Sequence, residues 1–443
     1  MQFASTQFLF LYLPAFVAVY YLCPARMRNS LLFLGGIVFY ALGYDGSFWQ
    51  TGLLLALITL TYIQGISLGK TQSKQPLFGS LGLLLAVLVF FKLYAGGRYL
   101  APGMSFFLFQ MAAYLIEVWR KAVPNEQGLV YYGAQILLFP KLLSGPLCDP
   151  KDLHRQFWGR GYLPEEFHEG LQQLILGLAM KTVLADRLGG LWSQAGVIGY
   201  ESISTPFAWL ALICWSLRLY LDFFAYSTMA KGLGLMLGFH LPRNFTDPYC
   251  AKTVSEFYRR WHASLGLWFR NYIYIPLGGN RRGTFRTILN LAIVWLLTGL
   301  WHGIGWGYLC WAGIILTFVV LERLWLGKHL NSSRILCHIY VPFVILLSWV
   351  PFALVDLPET VLFFEKLFGL GAPAINPQDY LFWGKAYLPL LLGGIALCTP
   401  VPEQLWKTIR HHHLTDVGLF FLFWIAVYFL CTGSQDPFLY FQF

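Results

Sequence analysis

Charged residues are scarce in this chain of 443 residues. Only 12% of the sequence is Asp, Glu, Lys or Arg, whereas a water-soluble globular domain carries about 25%. Hydrophobic residues make up 57%, and the mean hydropathy is +0.57. Apolar runs of about 20 residues recur, each long enough to cross the ~30 Å hydrocarbon core of a bilayer as a helix. The sequence therefore predicts an all-α polytopic membrane protein.

The sequence also lacks the spacings that mark disulfide frameworks and metal sites. Its eight cysteines are scattered singly, without a Cys-x-x-Cys pair, so we expect neither disulfides nor a metal. The net charge is +10, but the Lys and Arg residues lie in short loops and form no continuous basic face. That pattern argues against nucleic-acid binding and indicates contact with anionic membrane lipid on the cytoplasmic side.

No internal repeat is evident, so an inverted-repeat transporter gains no support. The first apolar run has no basic segment before it and no small-residue cleavage site after it, and we expect a retained span. Cations follow the first run (residues 26–28), the third (70–74) and the span that ends at Trp119 (120–121). The positive-inside rule then predicts an N-terminus outside the cytoplasm.

Prolines and glycines interrupt the apolar pattern between residues 130 and 165, and residues 250–285 are similarly irregular. Re-entrant or interfacial elements fit such stretches better than clean crossings. Counting them, we expect about 11–13 membrane-embedded helices.

Two histidines stand in the otherwise apolar and aromatic stretch from Phe257 to Trp311. His302 is flanked by uncharged residues, and the small glycines between Gly299 and Gly307 would let backbone or a slender substrate approach it closely. Imidazole can deprotonate a hydroxyl near neutral pH, so His302 is a candidate general base. A structural histidine that only makes hydrogen bonds is an equally good interpretation of the residue pattern alone.

Residues 257–272 place cations beside an apolar stripe of helical spacing, Trp261, Leu265, Trp268 and Tyr272. The cations Arg259, Arg260 and Arg270 could bind the phosphates of a thioester donor; the alternative is an amphipathic surface helix. The glycine-rich turn that follows (276–283) could cradle a phosphate, or be a plain cytoplasmic loop.

Asp222 is an ionisable residue inside an apolar run. We favour a buried structural carboxylate that hydrogen-bonds Tyr226, Ser227 or Arg218, in a supporting role next to the site.

Six segments resemble the membrane-bound O-acyltransferases, most closely the bacterial branch that O-acetylates alginate and related polysaccharides. They are LFPKLLSGP (138–146), RLYLDFFAYSTMAKGLGLMLGF (218–239), NFTDPY (244–249), the block from RRWH to LGGNRRG (259–283), LTGLWHG (297–303) and DPFLYFQF (436–443).

The resemblance implies a helical ring around a central funnel, built as a single integral-membrane domain over residues 1–443. Within it we expect N-terminal helices (1–125), a catalytic core (126–326) and C-terminal helices (327–443). His302 matches the family's catalytic histidine and His262 its second active-site polar residue. The substrate-binding candidates are Arg259, Arg260, Trp261, Arg270, Asn271 (where relatives often have Asp), Trp301, Asn244, Asp222, Tyr226 and Ser227.

The leading hypothesis is transfer of an acetyl group from acetyl-CoA or another cytoplasmic acyl thioester, without a metal, across the bacterial cytoplasmic (inner) membrane. His302 would be the general base, and His262 would orient substrate or polarise the thioester carbonyl. The resemblance implies a periplasmic or extracellular acetyltransferase partner protein and a cell-surface polysaccharide acceptor. The alternatives are D-alanyl transfer toward teichoic acid by the same fold, a polysaccharide or lipid transporter, and a non-catalytic membrane anchor.

Overall fold

A computed structural model describes residues 2–43, 48–71, 73–94, 100–125, 128–161, 163–433 and 438, so the DPFLYFQF match lies outside the described residues apart from Phe438. Every regular element in these ranges is a helix, which confirms the all-α prediction. The first α-helices are α1 (Leu13–Leu22), α2 (Arg28–Ala41), α3 (Phe48–Lys70), α4 (Lys74–Tyr94), α5 (Met104–Trp119), α6 (Leu129–Ile136), α7 (Phe139–Leu142), α8 (Pro150–Gly159), α9 (Pro164–Ala179), α10 (Asp186–Ile198) and α11 (Thr205–Met236). They are followed by α12 (Val254–Arg260), α13 (Ala263–Phe269), α14 (Gly283–His302), α15 (Trp306–Leu321), α16 (Gly327–Ser332), α17 (Arg334–Leu354), α18 (Leu357–Leu367), α19 (Asp379–Ala396), α20 (Val401–Ile409) and α21 (His413–Thr432).

Within the described ranges, seven helices are long and apolar enough to cross a membrane. They are Phe48–Lys70, Lys74–Leu93, Thr205–Met236, Gly283–His302, Trp306–Leu330, Ile335–Leu354 and His413–Thr432. An eighth span results if α19 and α20, which meet at a bend of 75°, are one broken crossing. The chain is thus a multi-pass membrane protein, and the count of 11–13 embedded segments stays a prediction.

The chain divides into two compact units. Of the described residues, the first unit comprises those within 1–178, 226–243 and 427–438, and the second comprises those within 179–225 and 244–426. Both candidate histidines lie in the second unit. The domain limits drawn at residues 125 and 326 stay predictions.

In the first unit, the Pro- and Gly-rich segment forms the short helices α6, α7 and α8 and no single crossing, as its composition indicated. Phe139 packs edge-on against Tyr12 and Phe16, with ring centroids 5.5 Å and 5.2 Å away. Two residues further on, the side chain of Lys141 is fully buried and donates to the side-chain oxygen of Gln110 on α5. This segment is therefore held inside the protein.

Helices α9 and the last turns of α11 cross at two glycines of the first unit. A Cβ on Gly170 would lie 2.5 Å from the carbonyl oxygen of Gly232, and a Cβ on Gly232 would clash with the carbonyl oxygen of Gly170 and lie 2.9 Å from the backbone nitrogen of Leu174. Small residues permit such close approach between membrane helices.

Gly232→Ala should therefore lower the thermal unfolding midpoint, because the new methyl group forces the two backbones apart at a cost of about 1–3 kcal/mol. The midpoint can be measured on purified protein in detergent. Gly82→Ala on α4, where a Cβ meets nothing within 4 Å, is the matched control. Equal midpoints for both variants would contradict this crossing.

Candidate active site

The polypeptide around His262 is two helices and not one. Helix α12 ends at Arg260, His262 takes the left-handed conformation (φ 46°, ψ 49°), and α13 starts at Ala263. The single helix predicted for residues 257–272 is therefore wrong. The stripe it implied is also interrupted, since Trp261 lies in extended backbone between the two helices.

Asn244 causes this break. The side-chain oxygen of Asn244 accepts hydrogen bonds from the backbone nitrogen (3.3 Å) and the hydroxyl (2.6 Å) of Ser264. The backbone carbonyl oxygen of Asn244 accepts one from the backbone nitrogen of Ala263 (2.9 Å). The first N–H groups of a helix have no partner within it, so Asn244 caps α13 from a distant part of the chain. The bonds offset the cost of the left-handed residue, about 1–2 kcal/mol.

The imidazole of His262 is buried, with 4% of the residue exposed, and lies edge-on to Phe223 at 4.6 Å. Its Nδ1 is 3.4 Å from the side-chain oxygen of Asn244, which is an acceptor toward Ser264. This arrangement favours the tautomer with the proton on Nδ1 and a lone pair on Nε2. In the sequence, His262 lies between the spans α11 and α14. Burial lowers the pKa of its imidazole from 6.5 to about 3, so the ring is neutral at physiological pH.

His302 is the last residue of α14 and is also buried. Its ring is surrounded by aromatic side chains, with centroid distances of 4.5 Å to Trp301, 4.9 Å to Phe352, 5.1 Å to Trp311 and 6.1 Å to Tyr308. Such apolar walls reduce competition from water, which strengthens electrostatic interactions with a bound group.

Trp301 links the two histidines. Its ring centroid is 6.5 Å from that of His262 and 4.5 Å from that of His302, so both imidazoles adjoin one indole. The atoms Nε2 of His262 and Nδ1 of His302 are both buried from water. The structure thus brings together the two residues that the sequence singled out as catalytic candidates.

The glycines near His302 serve contacts between protein segments. A Cβ on Gly303 would lie 2.5 Å from the ring of Tyr308, and one on Gly307 would lie 2.5 Å from the Cα of Val355. The close approach expected at these glycines is confirmed. Protein atoms of α15 and of the end of α17 fill the space beside them. These glycines therefore do not line a passage for substrate.

Glu322, which was not among the residues predicted from the sequence, holds the start of the helix that leads to His262. Its buried carboxylate accepts hydrogen bonds from the backbone nitrogens of Val254 (2.5 Å) and Ser255 (3.1 Å) and from the hydroxyl of Ser255 (2.8 Å). Tyr340 donates a further one (3.2 Å). The signal was present, because Glu322 is the single acidic residue of the apolar run 306–326.

Asp222 has a structural role, as favoured from the sequence, but with a partner that was not foreseen. Lys181 donates to Asp222 at 2.7 Å and to Asp186 at 2.6 Å, and the Lys181 and Asp222 side chains are 2% and 1% exposed. A buried charge of this kind requires its partner. Asp222 directly precedes Phe223, so the ion pair fixes the helix turn that contacts His262.

The cationic candidates divide into two kinds. Arg259 and Arg270 are exposed, whereas Arg260 pairs with Glu256 at 2.5 Å and donates to the carbonyl oxygen of Asp247 at 3.3 Å. Arg260 therefore supports the local fold. Asn271, next to Arg270, is half-buried.

The remaining predicted residues and the glycine turn make structural contacts away from the two histidine rings. Trp261 is 4% exposed and packs on Trp349 at 5.3 Å, so it belongs to the core. The predicted glycine turn is present at residues 275–282, with φ of 108° at Gly278. Tyr226 and Ser227 are buried in the first unit, where the hydroxyl of Tyr226 accepts a hydrogen bond from the nitrogen of Ser144 (3.3 Å).

Comparison with known proteins places the chain in a family. Residues 76–329 match the profile described as MBOAT, membrane-bound O-acyltransferase family. A protein named probable alginate O-acetylase AlgI from Pseudomonas putida is 32% identical over the full length of both chains. The chain belongs to the membrane-bound O-acyltransferase family. This confirms the resemblance and shows that the protein is an acyltransferase.

Two further relatives show the range of names within the family. Another probable alginate O-acetylase AlgI, from Azotobacter vinelandii, is 35% identical over 84% of this acyltransferase and 79% of the relative. A peptidoglycan O-acetyltransferase from Helicobacter pylori is 26% identical over all of this chain and 97% of the relative.

Replacing Glu322 tests its role in holding α12. In Glu322→Gln, an amide NH₂ would face backbone N–H donors, and the lost acceptor should cost about 1–3 kcal/mol. We expect a lower thermal unfolding midpoint in detergent and a lower rate of acyl transfer. Arg323→Gln, which changes the exposed neighbour, should retain both. A wild-type midpoint for Glu322→Gln would show that this carboxylate does not hold the helix.

The lowered pKa of His262 predicts a pH dependence of stability. The unfolded chain protonates His262 near pH 6.5 and the folded chain only near pH 3, so stability is intact above pH 6.5 and falls as the pH drops below it. Between pH 6.5 and pH 5 the loss should be about 2 kcal/mol.

The variant His262→Asn keeps a residue type that tolerates the left-handed conformation. Its unfolding midpoint should fall less than that of the wild type between pH 7 and pH 5, whereas the exposed control His411→Asn should follow the wild type. Parallel curves for all three proteins would refute the buried neutral imidazole.

Proposed function

We propose that this acyltransferase moves an acetyl group from a cytoplasmic acyl thioester across the bacterial inner membrane, for O-acetylation of a cell-surface polysaccharide. The names of the full-length relatives support acetyl as the group transferred. The observation that carries the proposal is the pair of buried imidazoles, His262 and His302, whose ring centroids both lie within 6.5 Å of that of Trp301.

In the proposed reaction, His302 takes the proton of the acceptor hydroxyl as the hydroxyl oxygen attacks the thioester carbonyl carbon. The carbon–sulfur bond then breaks, and the proton passes from the imidazolium to the departing thiolate. The products are an acetyl ester and a free thiol, and His302 returns to its neutral state. The aromatic residues around His302 would keep water from competing with the acceptor.

His262 has the complementary role of orienting the acceptor. With its proton on Nδ1 toward Asn244, its Nε2 lone pair can accept a hydrogen bond from a hydroxyl. Polarising the thioester carbonyl would need a proton on Nε2, so of the two roles considered from the sequence we propose substrate orientation. The very low pKa of this imidazole makes it a weak base, which leaves proton removal to His302.

The donor side is proposed to be cytoplasmic. Arg259 and Arg270 are exposed, and guanidinium groups match the geometry of phosphates such as those of acetyl-CoA. Cations after alternate apolar runs support an N-terminus outside the cytoplasm. A periplasmic or extracellular acetyltransferase partner would complete delivery to the polysaccharide.

His302→Ala tests the proposal, because removal of a general base should lower transfer by about 10²- to 10⁴-fold. The measurement is the acyl group released from the cell envelope by mild base, identified by mass spectrometry. Protein in the membrane fraction must match the wild-type amount, and the exposed His411→Ala should retain wild-type acetate.

Wild-type acetate release by a normally expressed His302→Ala would overturn the catalytic assignment. Release of D-alanine in place of acetate from wild-type cells would instead identify the same fold as a D-alanyltransferase. Solute flux in proteoliposomes without an acyl donor would indicate a transporter.

A further inference from the structure

An open cavity of about 360 Å³ lies in the first unit, where the chain passes from α8 to α9. Charged and polar side chains line it, including Arg155, Arg160, Glu166 and His240, together with backbone of nearby glycines. The acyl-transfer reaction proposed for the second unit uses none of these residues. The cavity is therefore a candidate binding site in its own right.

The guanidinium of Arg160 is fixed in the wall of this cavity. Its Nε donates to the hydroxyl of Tyr20 (3.0 Å), and Nη2 donates to the side-chain oxygen of Asn29 (2.5 Å). The group also lies 4.9 Å from the ring centre of Phe239. A guanidinium held in place before a ligand arrives loses little conformational entropy on binding, and it suits a phosphate.

Other lining residues are also held by hydrogen bonds. The side chain of Gln156 accepts a hydrogen bond from the backbone nitrogen of His240 (2.7 Å) and donates to its carbonyl oxygen (3.3 Å). Glu166 lies 3.3 Å from the ring of His240, so its negative charge is directed at the histidine. Arg155 also pairs with Asp152 at 3.6 Å, but both side chains are exposed, so this contact is weak. Among the residues that line the cavity, the two arginines outnumber the single carboxylate, which favours an anion.

Exposed apolar residues flank the cavity. Trp158 is 73% exposed and Leu163 51% exposed, whereas Leu153 and Phe157 on the other face of α8 are buried. An amphipathic helix with an exposed tryptophan beside cations is typical of the interface between lipid headgroups and acyl chains. A soluble anion needs no such apolar rim.

We propose that this cavity binds the phosphate of an anionic phospholipid, with Arg155 and Arg160 contacting the headgroup and the acyl chains lying beside Trp158 and Leu163. Because Arg160 contacts Asn29, the cavity lies near the cations of residues 26–28, at the same end of the first unit. The positive-inside rule assigns this end to the cytoplasmic side, where anionic lipid attracts basic residues.

The experiment measures phospholipid binding to purified full-length protein in mixed micelles, by native mass spectrometry, with phosphatidylglycerol and phosphatidylcholine as the two probes. Arg155→Gln should weaken phosphatidylglycerol binding by about fivefold, since one cation near a lipid surface contributes about that factor. Glu166→Gln, which removes the negative charge from the wall, should strengthen it. Arg26→Gln changes an exposed arginine outside the cavity and should weaken phosphatidylglycerol binding less than Arg155→Gln does.

Equal phosphatidylglycerol binding by Arg155→Gln, Glu166→Gln and Arg26→Gln would overturn the proposal. Inorganic phosphate and coenzyme A serve as competing probes for a soluble phosphate source. If either displaced phosphatidylglycerol from the wild type at micromolar concentration, and Arg155→Gln abolished that displacement, the site would belong to the soluble ligand. Because the readout is binding and not acyl transfer, failure of the proposed reaction would not change the result.

Discussion

The capping of α13 by Asn244 is the interaction on which the candidate active site depends. Three hydrogen bonds from residues 263 and 264 converge on Asn244, and they fix the start of α13 one residue after His262. The sequence of residues 257–272 is typical of one amphipathic helix. In a continuous helix His262 would take helical dihedral angles, and its imidazole would point in a different direction from the one observed. The side-chain oxygen that caps the helix also faces Nδ1 of His262, so one asparagine positions the ring and favours the tautomer with its proton on Nδ1.

Buried charges hold the surrounding elements. In a chain with few charged residues, each one removed from water must be paired or hydrogen-bonded. Glu322 accepts the N–H groups at the start of α12, and Lys181 joins Asp222 to Asp186. Lys181 and Glu322 each lie in a π-helical turn, a local widening that occurs often at functional sites. The start of α12, the helix that precedes His262, and the helix packed against the His262 ring are fixed in this way.

Aromatic side chains pack around the two histidines and keep the site rigid. Trp301, Trp311 and Phe352 surround His302, and Trp349 connects this group to Trp261 near His262. Large flat side chains fill the volume with few rotatable bonds, which keeps the site rigid. The general base proposed at His302 would meet its substrate with little bulk water present, a condition that suits acyl transfer over hydrolysis.

The sequence by itself determined the helical membrane class and the glycine turn near residue 278, and it singled out His262 and His302 as candidates. These follow from composition, from apolar length and from the scarcity of polar groups inside apolar runs, all of which are local properties. Only the tertiary structure decided the break at His262, the partner of Asp222, the role of Glu322 and the filling of space beside Gly303 and Gly307. Each of these depends on a contact between segments 18 to 68 residues apart or on different helices. Local sequence does not predict which distant donor or acceptor a buried group will bond, because these partners are determined when the helices pack.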